Sequence, residues 1–459
     1  MTVAAGQEER GALAAGQGRL SRLGEVMRLA LPAAGELLLS MAVGLVNTYL
    51  VGHLGAASLA AVGLASQWLM TATVLFSAVG TGATALIARL VGARDREGAN
   101  RVLGQALVVA YATGLLATAC LVLLAGPALT VMGAEEAAWE QGVAYLRIVS
   151  SAFMLAAVMF IGNACMRGAG DTRTPMAIMT VVNLLNVVVS WTLINGVAGL
   201  PALGVRGAAL GELAGRAAGG LLVVVLLLQG RAGLALRWAD CRPDPVVMRR
   251  MLRVGLPAGF EQLVFRVGML GFARAVAALG TAAYAAHQVA LNAESLSFMP
   301  GFGFAVAATT LVGQGLGARD EGRAQRDGYT AFALSAVLMG AIGVVFVLFP
   351  RPLVAVFTDD PEVVALGAPP LRLIGLVQPF LAASMVFAGG LRGAGDTLAP
   401  MLINGGAVWI LRLPLVLLFT QVLPWGLTGA WLAMAVDLMG RGTLVFLRFR
   451  GGRWKRAQV

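Results

Sequence analysis

Long apolar runs, each about twenty residues or more, alternate with short polar breaks along the whole chain. A run of that length is what a helix needs to cross the roughly 30 Å hydrocarbon layer of a bilayer. Twelve spanning helices are predicted. They lie near 26–50, 59–88, 100–125, 141–165, 175–195 and 204–229 in the first half, and near 251–276, 284–313, 326–350, 363–390, 399–423 and 427–448 in the second. Every second break is basic. Arg89, Arg94, Arg96 and Arg101 lie between runs two and three, Arg167 and Arg173 between four and five, and Arg319, Arg323 and Arg326 between eight and nine. Arg19, Arg22 and Arg28 precede the first run, and Arg231, Arg237, Arg242, Arg249 and Arg250 fill the central loop. Arg448, Arg450, Arg453, Lys455 and Arg456 end the chain. The intervening breaks lack this charge: HLGAAS (53–58) has none and GAEEAAWE (133–140) is acidic. By the positive-inside rule both termini lie in the cytoplasm.

The pattern repeats at a separation of 225 residues. Pro32 and Glu36 in LALPAAGE correspond to Pro257 and Glu261 in VGLPAGFE, and LVGARD ending at Asp95 corresponds to GLGARD ending at Asp320. RGAGDT occurs at 167–172 and again at 392–397, each time followed by Pro-Met, at Pro175-Met176 and Pro400-Met401. Two tandem copies of one folding unit follow. With six helices per copy the repeats are parallel, related by a pseudo-two-fold along the membrane normal, a plan that places a substrate path between the copies. The expected fold is an all-α membrane protein of twelve transmembrane helices in two parallel six-helix repeats. Its expected parts are a flexible cytoplasmic arm (1–24), a first lobe (25–230), a cytoplasmic inter-lobe loop (231–250), a second lobe (251–448) and a basic cytoplasmic tail (449–459). Residues 1–24 contain no apolar core of a signal peptide.

Composition agrees with a membrane location. The chain is 58% hydrophobic and 12% charged, whereas a soluble surface takes roughly 25% charged residues. The net charge of +11 is mostly the topology signal, with attraction of the tail to anionic lipid added, and needs no nucleic acid to explain it. Cys120, Cys165 and Cys241 fall at different levels and have no metal-ligand spacing. No nucleophile with a nearby base and no phosphate loop argues for an enzyme, so neither cofactor nor metal is expected. A single lysine among many arginines points to a GC-rich bacterial genome and decides nothing about function; the expected location is a bacterial inner membrane.

The pattern LP-x3-E, then VNTYLVGHLG (46–55), then RGAGDT-x2-P in each half resembles the multidrug and toxic compound extrusion (MATE) family. The segment 285–320 resembles that family's second-half signature, closest to the branch named for DNA-damage-inducible protein F. The resemblance covers about residues 25–445. It implies a two-lobed bundle that exports amphipathic, often cationic compounds in exchange for H+ or, less favoured, Na+. The partners it implies are a small organic substrate, a coupling ion and the bilayer, with the chain acting as a monomer. A lipid-linked precursor flippase of the same superfamily is the alternative. GARDREGANR (92–101) also resembles the GxxxDRxGRR loop of the major facilitator family, but it is one residue short and recurs as GARDEGRAQR (317–326). Both read as turns whose Arg/Asp pairs hold adjacent helices.

Ionisable groups inside apolar helices cost on the order of 2.5–3.5 kcal/mol each, so they are the candidate chemistry. Glu36 and Glu261, each one turn beyond a helix-kinking proline (Pro32, Pro257), are ion-coupling candidates with hinges attached. Glu36, Ser40 and Asn47 share a stripe of the first helix. The resemblance implies a carboxylate at position 47 and another at 190, where this chain has Asn47 and Ser190. Neither titrates near neutral pH, so a polar cavity without a proton carrier is expected around Asn47, Asn183, Asn186 and Ser190. Glu212 is a candidate substitute, against a structural role as partner of Arg216 four residues on, a pair repeated by Asp437 and Arg441. In the second half Arg266 and Arg274 need acidic partners, for which Glu261 and Glu294 are candidates. His287, Gln288 and Asn292 complete the cluster, His287 more in keeping with a hydrogen-bonded packing residue. The tenth helix offers Gln378 and Pro379 but no interior acid, which argues against the sodium site of the sodium-coupled branch. Trp68, Met70, Phe265, Met269, Phe298, Met299 and Phe302 could form an adaptable binding surface.

Overall fold

A computed structural model describes residues 2–199, 201–230 and 233–457, with side chains described from Leu20 onward except Ala198. Arg231 of the central loop and the side chain of Arg19 lie outside the described residues. The described residues contain helices, turns and loops, and no strand.

The first half comprises α1 (Thr2–Gly52), α2 (Ala56–Gly92), α3 (Arg96–Leu123), α4 (Ala125–Val131), α5 (Glu136–Ser151), α6 (Phe153–Ala169), α7 (Arg173–Asn195) and α8 (Val205–Leu228). The second comprises α9 (Pro245–Ala277), α10 (Thr281–Gly317), α11 (Glu321–Leu348), α12 (Pro350–Ala355), α13 (Pro361–Leu376), α14 (Gln378–Gly393), α15 (Leu398–Ala407), α16 (Leu413–Leu417) and α17 (Gly426–Arg450). Even the short α4 recurs, 225 residues on, as α12. Nine helices among the described residues are long and apolar enough to cross a membrane, and two bent pairs, α5–α6 and α13–α14, make eleven spans. The twelfth is α9. Its 33 residues are ample at ~1.5 Å each, but Glu261, Arg266 and Arg274 dilute its apolar character.

Local sequence accounts for the junctions. Asp95 and Asp320 were expected to pair with arginines across their turns. They instead cap α3 and α11, accepting hydrogen bonds from Gly98 N at 2.8 Å and Arg323 N at 2.7 Å. A short carboxylate beside a helix start satisfies an orphan N–H more readily than it reaches a neighbouring helix. The bends of 54° at α5–α6 and 56° at α13–α14 match although only the second copy has a proline there (Pro379), so the bend belongs to the fold rather than to proline. In the last-but-one span, π-turns at Val408–Arg412 and Leu418–Val422 flank Pro414, which has no N–H to give. The backbone of α1 reaches back to Thr2.

The halves meet through α1, α2, α9 and α10. A Cβ on Gly92 would collide with the carbonyl of Gln314, and one on Gly317 with the carbonyl of Arg89. Residues 89 and 314, like 92 and 317, are equivalent between copies, so these contacts are reciprocal, as a two-fold requires. Bare glycines let backbones touch where lipid gives no hydrophobic drive. The closely packed seam lies at the basic-loop face. There Arg89 donates to the carbonyls of Ala394 (3.1 Å) and Ala457 (2.7 Å), Gln314 donates to that of Gly168 (3.3 Å), and Arg323 pairs with Glu25 (2.8 Å). The glycines nearest the opposite ends of these helices, Gly52, Gly55 and Gly280, have nothing within 4 Å of a built Cβ. The central loop is strapped to α3: buried Gln105 donates to the carbonyls of Asp240 and Arg242, both at 2.7 Å, and accepts from Asp244 N at 2.8 Å. In that loop, burial and adjacent Asp240 raise the Cys241 thiol above its usual pKa.

Candidate functional site

The two RGAGDT segments end α6 and α14, and each delivers its arginine to the glutamate beyond the helix proline of the same half. Arg167 donates to both oxygens of Glu36, at 3.1 and 3.3 Å. Arg392 donates to Glu261 at 2.7 Å, and Asn404 of α15 adds a hydrogen bond at 2.6 Å. Oε2 of Glu261 is buried and has no hydrogen-bond partner. The pairing corrects the expectation that Glu261 and Glu294 serve Arg266 and Arg274. Arg266 instead donates to Gln67 of the other half at 3.0 Å, and Glu294 forms no hydrogen bond or ion pair among the described residues. A glycine in the left-handed region follows each motif arginine, at Gly170 (φ 96°) and Gly395 (φ 84°), and turns the chain so that α6 and α14 end beside α1 and α9. Pro32 removes the N–H that would have served the carbonyl of Arg28. Thr172 of the motif donates to that carbonyl instead, at 3.4 Å. Kink and motif are thus tied twice in the first half.

A cavity of about 900 Å³ lies between the halves. The first half contributes Thr81, Thr84, Phe160 and Arg167 of α2 and α6, and the second half contributes most of the wall. Its charged lining is Arg167, Glu261, Arg266, Glu294, Arg392, Arg412 and Arg441. Behind it, wholly buried Asp437 holds Arg412 at 2.7 Å and Arg441 at 2.9 Å. Of the aromatic and methionine side chains singled out in the sequence, Phe265, Met269, Phe298, Met299 and Phe302 line this cavity. Trp68 instead donates to the carbonyl of Ala128 (3.2 Å), and Met70 is exposed.

The remaining candidates stand elsewhere. Asn47 donates to Asn186 at 3.0 Å and Asn183 to Ser40 at 3.4 Å, so these groups form a polar seam between α1 and α7. Ser190, also buried, faces α8 and the carbonyl of Ala208 at 3.5 Å. Glu212 is held by Arg216 and by the hydroxyl of Tyr145. His287 is buried, accepts from the Trp431 indole at 3.1 Å and packs against Phe272 and Tyr284. Gln288 and Asn292 lie on the exposed side of α10, where Gln288 donates to Tyr284 at 2.9 Å. The sequence reading missed four participants: the motif arginines Arg167 and Arg392, Asn404, and Arg412. Glutamate and arginine recurring together at one fixed offset was a usable signal for the first two. Arg412 has no counterpart in the first half and gave none.

Twelve membrane-length helices in two like halves, enclosing an ionisable cavity with an apolar lining, define a polytopic membrane transporter. The family model described as MatE matches the chain twice, over residues 32–192 and 257–418, and the chain belongs to that family of transporters. It is 36% identical over 436 residues to the probable multidrug resistance protein NorM of Thermotoga maritima, covering 95% of this chain and 94% of the relative. It is 29% identical over 453 residues to the multidrug resistance protein PmpM of Pseudomonas aeruginosa, covering 93% and 91%. Among solved structures, an outward-facing multidrug resistance MATE family transporter of the MOP superfamily superposes with a TM-score of 0.88 at 23% identity, covering 95% of this chain and 97% of that one. A MATE protein in a bent conformation gives 0.87 at 24% identity, covering 93% and 94%.

Proposed function

We propose that the protein is a secondary active antiporter that exports amphipathic organic compounds across a bacterial inner membrane. It works as a monomer, with the basic loops and both termini in the cytoplasm. The relatives named multidrug resistance proteins support the cargo class. The observation that carries the mechanism is the cavity between halves whose close packing lies at the basic-loop face. Under this topology the state is closed to the cytoplasm, and rocking of the lobes about the reciprocal glycine contacts opens the other side. Pro32 and Pro257 serve as hinges.

Glu261 is the foremost coupling group. It lines the cavity, balances Arg392, and keeps one buried oxygen free to take a proton. Protonation would release the Arg392 guanidinium and weaken the tie between α9 and α14. Glu36, which balances Arg167, and Glu294 are the further candidates, while Glu212, held by Arg216 and Tyr145, ranks below them. Protons are favoured over sodium because, among the described residues, Glu261 and Glu294 are the only acids lining the cavity, and a sodium ion needs several oxygen ligands at once whereas a proton needs one. One charge falling through 100 mV supplies about 2.3 kcal/mol, enough for roughly fiftyfold accumulation.

The test is transport in proteoliposomes loaded with a fluorescent organic cation, with a pH gradient and a sodium gradient imposed separately. Export driven by the pH gradient and lost in Glu261→Gln is expected. Response to sodium alone would reassign the ion. Response to neither, with labelled lipid crossing the bilayer, would replace the antiporter with a flippase.

A further inference from the structure

The polar ties that cross between the halves at the basic-loop face are unequal. Arg323 and Glu25 are 41% and 39% exposed, and an exposed ion pair contributes little. Gln314 and Thr310 reach the carbonyls of Gly168 (3.3 Å) and Arg167 (2.8 Å) as neutral donors. Arg89 differs from all of these. Its guanidinium forms no ion pair among the described residues, and its Nε is buried without a partner. Two carbonyls of the other half answer its charge, those of Ala394 at 3.1 Å and Ala457 at 2.7 Å. Ala394 caps the C-terminal end of α14, where the helix dipole presents partial negative charge. Hydrogen bonds from a charged donor are the stronger kind.

The second acceptor comes from outside the bundle of spanning helices. After α17 the chain turns through Gly452 (φ 69°) into a single 3-10 turn, Arg453–Arg456. Trp454 pins that turn to the second half. It is fully buried, stacks on Phe449 with ring centroids 4.7 Å apart, and donates its indole N–H to the Phe449 carbonyl at 2.6 Å. Phe449 in turn lies against Phe387, with centroids 4.9 Å apart. Lys455 adds a long contact to Glu321, at 3.9 Å. One buried aromatic side chain thus seats the segment so that Ala457 offers its carbonyl to Arg89 across the seam. Gln314, the residue equivalent to Arg89, is neutral, so the charged tie exists once and not twice.

We propose that Arg89 and the segment 451–457 form a latch on the cytoplasmic side that sets how often the cavity opens inward. This rests on the exporter reading above, in which the packed basic-loop face is the closed cytoplasmic gate, and it names the residue that holds that gate shut. Opening inward carries α2 away from α14 and parts both Arg89 bonds together. A hydrogen bond to a charged group shifts an equilibrium by about tenfold or more, so its loss should raise the inward-open population by that factor. Arg89 is not part of the cavity wall. It is a positioning residue, acting on the balance between two states rather than on cargo or ion.

The test reads a cysteine placed at Thr84, on the cavity wall, in the full chain with its three native cysteines changed to alanine. A membrane-impermeant maleimide is applied to inside-out and to right-side-out vesicles. Arg89→Met, which keeps the stem and removes both bonds, should raise labelling from the cytoplasmic side about tenfold, the scale of a hydrogen bond to a charged group. Labelling from the other side should not rise. Arg89→Lys keeps the charge and should restore part of the protection. Trp454→Ala unseats the segment without touching the first half and should act in the same direction, while Trp454→Phe keeps the stacking and should recover most of the protection. The double change Arg89→Met with Trp454→Ala should exceed Arg89→Met alone by nothing, because one contact cannot be lost twice. Unchanged labelling in Arg89→Met, an equal rise from both sides, or additive effects of the two changes would each overturn the latch. A rise confined to the opposite side would keep the latch and reverse the topology of the exporter reading. Neither cargo nor gradient enters the measurement, so a chain that fails to export refutes that reading while the latch stands.

Discussion

Glu36 and Glu261 occupy equivalent places, and each holds the arginine of its own RGAGDT segment. Around these two pairs the halves diverge. In the first half the polar groups Ser40, Asn47, Asn183 and Asn186 are bonded to one another between α1 and α7, closing the seam. The residues equivalent to Asn47, Asn183 and Asn186 in the second half are Phe272, Val408 and Leu411, while Glu294 and Arg412 replace Leu69 and Val187. The second half thus carries charge where the first carries apolar side chains, and turns it toward the cavity. One backbone duplicated in tandem can keep a strut in both copies and place chemistry in only one.

The largest effect expected of a single change lies in the second half's buried cluster. Asp437 is fully buried and holds two arginines. Asp437→Asn leaves two buried guanidiniums against no charge and should cost about 3–5 kcal/mol. Its counterpart Glu212 holds one arginine, and both side chains are about a fifth exposed, at 21% and 20%. Glu212→Gln should therefore cost about 1 kcal/mol or less. Thermal unfolding of the purified variants compares them directly. Equal losses would mean that the divergence between halves has no energetic content.

Transport separates the glutamates next. If Glu261 couples and Glu36 braces, Glu261→Gln should lower gradient-driven export by the upper end of a typical coupling energy, roughly a hundredfold. Glu36→Gln should lower it by roughly fivefold, near the lower end of that range. Initial rates in proteoliposomes at equal protein incorporation decide this. Equal loss in both would restore the symmetric expectation drawn from sequence.

That expectation was reasonable, and its limits are instructive. The repeat made the spans and both prolines legible, because helix length and hydrophobic run are local properties that the bilayer enforces. The Glu–Arg pairs span 131 residues and depend on α6 and α14 folding back against α1 and α9. Proximity along α9 made Arg266 and Arg274 look like the partners of Glu261, but a helix separates residues five apart onto different faces. The cavity wall was partly legible. Apolar positions on α9 and α10 were found, whereas Arg412 comes from a π-turn that shifts helical phase and no periodic reading anticipates.

Where the halves remain alike, their variants should match. Gly92 and Gly317 each meet a carbonyl of the other half, in reciprocal contacts. Gly92→Ala and Gly317→Ala should each destabilise the packed basic-loop face by about 1–3 kcal/mol, since neither backbone can yield without separating the halves. Labelling of a cysteine placed at Thr84 should rise by similar factors from that side in both variants. A large difference between them would show that the seam is not functionally two-fold.

The smallest effect tests whether the first half's seam is a binding site at rest or a packing device. Asn47 donates to Asn186, while its own carbonyl oxygen is buried without a partner. Asn186→Leu strands the amide of Asn47 and should cost about 1 kcal/mol. The second half shows what else fits here, since Phe272 and Leu411 hold the equivalent places and Phe272 is fully buried. The double change Asn47→Phe with Asn186→Leu should therefore recover most of that loss, because removing both partners of a hydrogen bond leaves nothing unsatisfied. Recovered stability with export intact would make the seam a relic of packing. Recovered stability with export lost would return the cavity function to Asn47 and Asn186 and place a working site in each half.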